Sequence, residues 1–498
     1  MQNAVKQYKQ ILKKREALNH AIGVLEYDSE TAMPKNGAPH LAETIATLSE
    51  ESYNLQVNDE VRTLLDKLSE NSDELDEITR REVEEEVKQL KKLENVPIEE
   101  YSEHSRLISE ASVVWREAKQ TNNYKLFQPY LDRIIAISKS MMGHMHPGMD
   151  TYDALLEEFS EGLSVKMLDP FFADVRAKLV PVIHAVCESG NQVDDSPFKK
   201  PFAIEGQRKL SSFVMDFLGI DRNSCVLGEV EHPFTTNFNK HDVRLTTHYY
   251  ENDVLSNMFS VAHEGGHCLY ELNVGDELIG SPLTGGSTMT LHESQSRLFE
   301  NMICRSREFI SLLYPKMKEI FPAEMSGISE ELLYRAANKS MPSLIRTEAD
   351  ELTYPLHIMV RYEIEKKLIA GTLSTDDLPH EWNRLYKEYL GIDVPDDTHG
   401  VLQDSHWSGG SIGYFPSYCV GSAYSAQIYD NIAKDIDIAK VVSAGGVKPI
   451  VEWLTARLYR YGRLKTPAEL SKSVLCGEFD PAHYTNYLTN KFSELYKL

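Results

Sequence analysis

The residues best suited to chemistry are His263, Glu264 and His267, which form the pattern His-Glu-x-x-His. On an α-helix, residues four apart share a face, so His263 and His267 can direct two imidazoles at one point. Two neutral imidazoles suit a zinc-like cation, and Glu264 could take a proton from water on that metal. A surface helix can also carry these residues by chance, so other parts of the chain must decide between the two interpretations.

A catalytic zinc site needs a third protein ligand and an open position for water. In the longer pattern His-Glu-x-x-His-x-x-Gly-x-x-His the third ligand is a histidine, but Tyr270 and Asn273 replace its Gly and His and exclude that class. Glu293, after a Gly-Gly-Ser loop, is the predicted third ligand; the alternative is a carboxylate that the dipole favours at a helix start. Its neighbour His292 diverges by about 100° on a helix, so we expect it to support the ligands rather than bind the metal.

The elements that must position these residues are mostly helical. Apolar residues at helical spacing predict helices over residues 1–26, 40–48, 77–94, 99–119, 126–142, 165–186, 330–338, 358–368, 378–390, 450–459 and 468–474. The segment 77–94 has a narrow apolar stripe that ends at Leu93. Strand patterns are few and fall at 225–227 and 243–250, just before the His-Glu-x-x-His stretch. We expect a mostly α fold with a small β element beside the site.

No internal repeat, low-complexity tract or linker divides the chain. The 498 residues are 42% hydrophobic and 26% charged, an ordinary globular balance. We therefore predict one domain over 1–498, with a helical N-terminal part over about 1–200 and metal and substrate motifs over 232–424.

Charge and cysteine content limit the partners and the compartment. The formal net charge of −24 argues against nucleic-acid and anionic-membrane surfaces, because phosphate-rich partners would be repelled. Six scattered cysteines predict reduced thiols rather than a disulfide framework. The polar segment 1–10 is not a signal peptide, and no run of ~18 apolar residues could span a membrane. These features predict a cytoplasmic protein.

Six ordered motifs resemble those of the thermostable-carboxypeptidase (Taq-type) metallocarboxypeptidase family. They are His232–Phe234, Asp242–Thr246, His263–His267, His292–Ser296, Ile345–Asp350 and Gly400–Trp407. The resemblance extends into the N-terminal half through Tyr27–Pro34 and Tyr152–Leu156. The chain is therefore identified as similar to this family over most of its length.

The resemblance implies a fold, a reaction and a cofactor. The fold would be a large helical two-lobed body with a deep central groove, shaped like angiotensin-converting enzyme and the neurolysin-like oligopeptidases. The reaction would be the release of single C-terminal residues from peptides, with broad side-chain preference and poor release of proline. One divalent metal per chain, Zn²⁺ with Co²⁺ able to substitute, and a homodimer are also implied.

The resemblance implies that His263, His267 and Glu293 bind the metal and that Glu264 is the general base. A tetrahedral oxyanion needs a further donor besides the metal. His406 is the first candidate for this donor. A tyrosine is the second, with Tyr418 favoured over Tyr414, which we expect to bind substrate; either ring could instead only pack the groove.

An exopeptidase must also recognise a free carboxylate, for which bidentate arginine is suited. Arg346 and Arg244 are the candidates, although each could instead pair with a neighbouring aspartate. We expect Asp404 to orient His406 or another group of the site, and Gln403 to bond the substrate backbone.

Two other interpretations remain open at this point. One is a dipeptidyl-carboxypeptidase or endo-oligopeptidase of similar fold, which would differ in where the arginine anchor lies relative to the metal. The other is a helical binding or scaffold protein in which the His-Glu-x-x-His pattern is accidental.

Overall fold

The computed structural model describes residues 1–498, except for the side chain of Leu93, so that end of the predicted stripe lies outside the described residues. The helices are α1 Gln2–Thr31, α2 Ala38–Gln56, α3 Asp59–Glu70, α4 Glu77–Glu94, α5 Ile98–Gln120, α6 Tyr124–Met145, α7 Thr151–Phe159, α8 Val165–Glu188, α9 Ile204–Leu218, α10 Val254–Leu272, α11 Met289–Arg297, α12 Arg307–Ile320, α13 Glu330–Ala337, α14 Tyr354–Ala370, α15 Leu378–Leu390, α16 Pro416–Asp435, α17 Ile438–Ser443, α18 Lys448–Arg457, α19 Pro467–Val474 and α20 Ala482–Tyr496. The strands are β1 Cys225–Glu229, β2 Thr235–Asn239 and β3 Asp242–Thr247.

The predicted mostly α fold with a small sheet is confirmed. Helical periodicity located α4 at its observed bounds and α5, α6, α8 and α15 to within a few residues. The likeness in shape to angiotensin-converting enzyme and neurolysin stays a prediction.

Apolar side chains form one large core and two smaller ones. The large core includes buried residues from Val96 to Tyr496. A second core lies between α1, α3 and α4, where Tyr8, Leu65 and Val83 are buried. The N-terminal helices thus carry a core of their own beside the main body.

The small sheet lies directly against α10, in the strand order β1-β3-β2. β3 pairs parallel with β1 and antiparallel with β2, which leaves β2 at an edge. Val243 and Leu245 on β3 are fully buried, as expected for the face that covers a helix. The sequence did not predict β2, because its five residues Thr-Thr-Asn-Phe-Asn carry no apolar alternation.

Two glycines allow close packing around α11. A Cβ at Gly266 of α10 would lie 2.5 Å from the Gln295 carbonyl oxygen, and one at Gly421 of α16 would lie 2.8 Å from Cβ of Glu293. Any larger side chain at either position would push α11 away. These contacts hold Glu293 between α10 and α16.

Two further expectations concern the whole chain. Among the described helices, none is both long and apolar enough to cross a membrane. All six cysteines are free thiols in the described chain, as predicted, and four of them are buried.

Candidate active site

The helix α10 presents the two histidines on one face. It begins after Asp253, whose side chain accepts from the backbone N–H of Ser256 and caps the first turn. His263 and His267 are one turn apart, with ring centroids 5.1 Å apart. Nε2 of each histidine faces Glu293, in the middle of α11.

Glu293 on α11 completes a group of three potential ligands. Its Oε2 atom lies 3.6 Å from Nε2 of His263 and 3.6 Å from Nε2 of His267. One ligand atom from each residue lies within 4.8 Å of the other two. Two imidazole nitrogens and one carboxylate oxygen at this spacing fit a small divalent cation with an open position.

Nδ1 of each histidine contacts a different side chain. Nδ1 of His263 lies 2.9 Å from Oε2 of Glu300. Nδ1 of His267 lies 2.6 Å from Nδ1 of His292, whose Nε2 lies 2.7 Å from Oε1 of Glu271. Such contacts fix ring orientation and leave Nε2 for the metal.

A π-helix over Leu298–Ile303 directly follows α11 and carries Glu300. Such segments are rare and are found mostly at functional sites. Glu300 also accepts from Arg297 at 3.3 Å and from Arg305 at 2.8 Å. The two arginines place positive charge around this buried carboxylate.

Charges around the ligands determine their protonation. Burial raises the pKa of Glu293, but Arg297 and the two histidines outweigh it and hold that pKa well below its usual range. Burial lowers the pKa of His263, but Glu293 and Glu300 outweigh it and raise that pKa overall. Burial also lowers the pKa of His267, and this decrease prevails. The cluster therefore contains an ionised carboxylate ready for a cation.

Glu264 is held by the edge strand. The hydroxyl of Thr235 on β2 lies 2.6 Å from Oε2 of Glu264 and 3.0 Å from its backbone oxygen. Glu264 is buried, one residue after His263. A buried carboxylate beside the candidate metal ligands, with one oxygen engaged, is placed where a general base could act.

A second group of side chains surrounds Arg346. Nε and Nη2 of Arg346 donate to Oδ1 of Asp404 at 3.0 and 2.9 Å, and Nη1 donates to the Tyr354 hydroxyl at 3.2 Å. Asp404 also accepts from Arg361. The Tyr354 ring lies 4.8 Å from the guanidinium carbon of Arg297, which donates to Glu293. Tyr354 therefore connects the predicted carboxylate anchor with the candidate metal ligands.

His406 and two tyrosines lie beside Arg346. The His406 ring lies 4.4 Å from Phe415, 5.4 Å from Tyr414 and 6.3 Å from Tyr418. Burial lowers the pKa of His406 to about 4, so its imidazole is neutral near pH 7. Burial raises the pKa of both tyrosines, whose hydroxyls therefore stay protonated donors.

The structure corrects the prediction for Gln403. Its Oε1 accepts from the Arg346 backbone N–H at 2.9 Å and from Arg361 at 2.8 Å, and its Nε2 donates to the carbonyls of Leu344 and His399. All four of its hydrogen-bonding positions are in use, so none remains for a substrate backbone. Gln403 instead fixes the backbone at Arg346.

Of the two roles predicted for Asp404, to orient His406 or to orient another group of the site, the contacts support the second. Its carboxylate binds two arginines, and Nδ1 of His406 is buried without a hydrogen-bond partner among the described residues. Asp404 therefore orients Arg346, not His406.

Arg244 lies apart from these groups. It pairs with Asp242 and lies 5.3 Å from the rings of Tyr27 and Phe238. Its cross-strand neighbour is Thr236, whereas Thr235 faces Glu264. Successive residues of a strand face opposite sides, so Arg244 lies on the other face of the sheet.

Sequence reasoning missed four supporting residues: Thr235, Glu271, Glu300 and Tyr354. Glu271 follows His267 by four residues, so helical spacing could have indicated it. Glu300 had no such signal, because a π-helix changes which face it occupies.

Comparisons with known proteins agree on one family. A family model described as carboxypeptidase Taq (M32) metallopeptidase matches residues 7–492. The chain is 40% identical to Carboxypeptidase 1 of Bacillus subtilis strain 168, over 99% of each chain. It is 35% identical to Thermostable carboxypeptidase 1 of Pyrococcus furiosus, over 97% of this chain and 98% of that one. The crystal structure of an M32 carboxypeptidase from Deinococcus radiodurans R1 matches with a TM-score of 0.96, at 32% identity and full coverage of both chains.

Proposed function

The chain belongs to the carboxypeptidase Taq (M32) metallopeptidase family, and we propose that it releases single residues from the C-termini of peptides. Family membership makes it a metal-dependent peptide hydrolase and excludes the scaffold interpretation. One arrangement supports the release of single residues. His263, His267 and Glu293 form a cluster beside Glu264. Tyr354 links this cluster to Arg346, because it contacts both Arg346 and Arg297.

The three ligands fit one divalent metal per chain. Two imidazoles and one carboxylate are a donor set typical of catalytic zinc, and Co²⁺ accepts the same ligands. The buried carboxylate of Glu300 orients His263, and His292, which contacts Glu271, orients His267; both contacts suit a metal site. When bound, the metal polarises the scissile carbonyl and lowers the pKa of water.

Glu264 acts as general base in this proposal. Its carboxylate takes the proton of the attacking water and delivers it to the leaving amine. The hydroxyl of Thr235 fixes one oxygen of this carboxylate and leaves the other for the proton. His406 and Tyr418 donate hydrogen bonds toward the oxygen on which negative charge develops.

Arg346 binds the terminal carboxylate of the substrate. A guanidinium has five N–H groups and three of those in Arg346 contact Asp404 and Tyr354, which leaves two for a ligand. Tyr414 contributes to the wall that holds the substrate, and Arg244 on the far face of the sheet is the competing anchor. Broad side-chain preference, poor release of proline, a homodimer and a cytoplasmic location belong to the same proposal.

The alternative is a dipeptidyl-carboxypeptidase or endo-oligopeptidase. The contacts that join Arg346 to Glu293 through Tyr354 and Arg297 support the release of single residues, because they place this anchor next to the candidate ligands.

The decisive experiment replaces the base and keeps the metal site. Glu264→Gln should lower kcat by about 10²–10⁴-fold, the usual contribution of a general base, without loss of bound metal. Glu277→Gln, at an exposed carboxylate outside the site, should behave as wild type. Full activity of Glu264→Gln, or activity that a chelator leaves unchanged, would overturn the proposal.

A further inference from the structure

The Glu365 side chain on α14 is a fully buried carboxylate that none of the roles above uses. It accepts three hydrogen bonds. Trp407 Nε1 donates to its Oε1 at 2.7 Å, and the Tyr152 hydroxyl and the Gly413 backbone N–H each donate to its Oε2 at 2.9 Å. No cation pairs with Glu365 among the described residues.

Two of these donors lie at the two ends of one loop. Trp407 directly follows His406, and Gly413 directly precedes Tyr414. Gly413 has a φ of +95°, and a Cβ there would lie 2.9 Å from the backbone of Leu155 on α7. The loop can therefore turn against α7 only with glycine at this position.

The same face of α14 holds the preceding part of the loop. Arg361, one turn before Glu365, donates to Asp404 and Gln403. Asp404, His406 and Tyr414 are thus all positioned from one helix, through two charged side chains.

We propose that Glu365 is a positioning residue that fixes His406 and Tyr414 relative to the metal ligands by binding both ends of the 407–413 loop. This inference rests on the proposed function, which gives His406 and Tyr414 their roles.

The ionised form of Glu365 suits this role. Trp407 and Gly413 can only donate, so a proton on Glu365 would weaken their hydrogen bonds by removing the negative charge that strengthens them. Burial raises the pKa of Glu365 to about 7, although its three donors and Arg361 act against this increase. Tyr152 from α7 and Arg361 from α14 are the titratable or charged groups that face it in the described structure. Above about pH 7, where the ionised form predominates, the carboxylate holds both ends of the loop.

Glu365→Gln tests the proposal, with Glu363→Gln on the same helix as the matched control. Glu363 bonds Arg176 and Tyr389 and does not contact the loop. In Glu365→Gln we expect kcat to fall on the order of 10-fold at pH 8, because His406 is displaced, and KM to rise less than this, because Tyr414 is only one part of the substrate wall. The deficit should decrease toward pH 5.5, where protonated Glu365 in the wild type resembles glutamine. A deficit that Glu363→Gln shares, or that is the same at both pH values, would overturn the proposal.

Trp407→Phe keeps an aromatic side chain, although a smaller one, and removes the N–H donor. It gives a second variant if Glu365→Gln folds poorly. Its kcat should fall less than that of Glu365→Gln, and the double variant should be no worse than Glu365→Gln alone, because the two groups share one contact. Additive losses would contradict the proposed contact.

A spectroscopic measurement separates this inference from the proposed function. The protein has four tryptophans, and Trp407→Phe identifies the indole N–H resonance of Trp407. We expect that resonance to shift in Glu365→Gln but not in Glu363→Gln. An unchanged resonance would overturn the positioning role even in an active enzyme. Absence of metal-dependent peptidase activity in the wild type would overturn the proposed function, whatever the resonance shows.

Discussion

Nδ1 of His263 lies 2.9 Å from the carboxylate of Glu300, which belongs to the π-helix that follows α11. One continuous helical segment therefore supplies both the third candidate ligand, Glu293, and the group that orients the first one. A displacement of this segment would move both together. The geometry of the metal site depends on α11 as much as on the His-Glu-x-x-His helix.

Glu300→Gln should weaken metal binding. The amide cannot orient His263 as the carboxylate does, and loss of such a partner costs about 10–100-fold in metal affinity. Competition with a chromophoric chelator measures this affinity directly. Glu319→Gln, at an exposed carboxylate paired with Lys316, is the matched control. Equal affinity in the two variants would contradict the orienting role of Glu300.

Metal binding should weaken as the pH falls. The ligand histidines must be neutral to bind a metal, so protons compete with it. Because Glu293 and Glu300 raise the pKa of His263, its proton competes at a higher pH than that of an ordinary histidine. Dialysis at pH values from about 8 down to 5, followed by metal analysis, should show progressive and reversible loss of the ion. Retention of the full metal content at the acid end would show that His263 does not titrate as described.

Thr235→Val should lower kcat by removing the hydroxyl that holds Glu264. A hydrogen bond to a charged group contributes about 1.5–3 kcal/mol, so the loss should be roughly 10- to 100-fold. Thr236→Val is the control, because Thr236 faces the opposite side of β2. Steady-state kinetics on one peptide, with metal content measured in parallel, distinguishes loss of the base from loss of the metal. Similar kinetics in the two variants would mean that Thr235 does not position the base.

The sequence predicted the residues that form a local pattern. His263 and His267 lie one turn apart on α10, as helical spacing requires, and Glu293 falls beside them because the Gly-Gly-Ser loop precedes a helix. Helices with a clear apolar stripe, such as α4, were predicted for the same reason. Periodicity over a few turns is enough to predict which residues share one face of a helix.

The supporting contacts could not be predicted, because they join elements distant in sequence. Thr235 contacts Glu264 from a strand without apolar alternation, and Glu365 contacts Gly413 across 48 residues. Gln403 was assigned to the substrate because its motif could not show that Arg346 and Arg361 already occupy its oxygen. Side-chain partners depend on tertiary packing.

Arg346 and Arg244 can be separated as carboxylate anchors by their surroundings. Both arginines pair with an aspartate, Arg346 with Asp404 and Arg244 with Asp242. Arg346 is 6% exposed, whereas Arg244 is partly exposed on the far face of the sheet. A desolvated guanidinium binds a carboxylate more strongly than an exposed one does, because water competes less.

The ratio of kcat/KM for a peptide with a free C-terminus to that for its C-terminal amide measures carboxylate recognition. Wild type should strongly prefer the free acid. Arg346→Ala should lose roughly 30-fold to several thousand-fold in kcat/KM for the acid, the cost of about 2–5 kcal/mol for a buried charged pair, and little for the amide. Arg244→Ala should keep the preference of the wild type. If the preference instead disappears in Arg244→Ala and persists in Arg346→Ala, the anchor lies on the far face of the sheet. Efficient cleavage of the amide by wild type would favour the endo-oligopeptidase, because such an enzyme needs no terminal carboxylate.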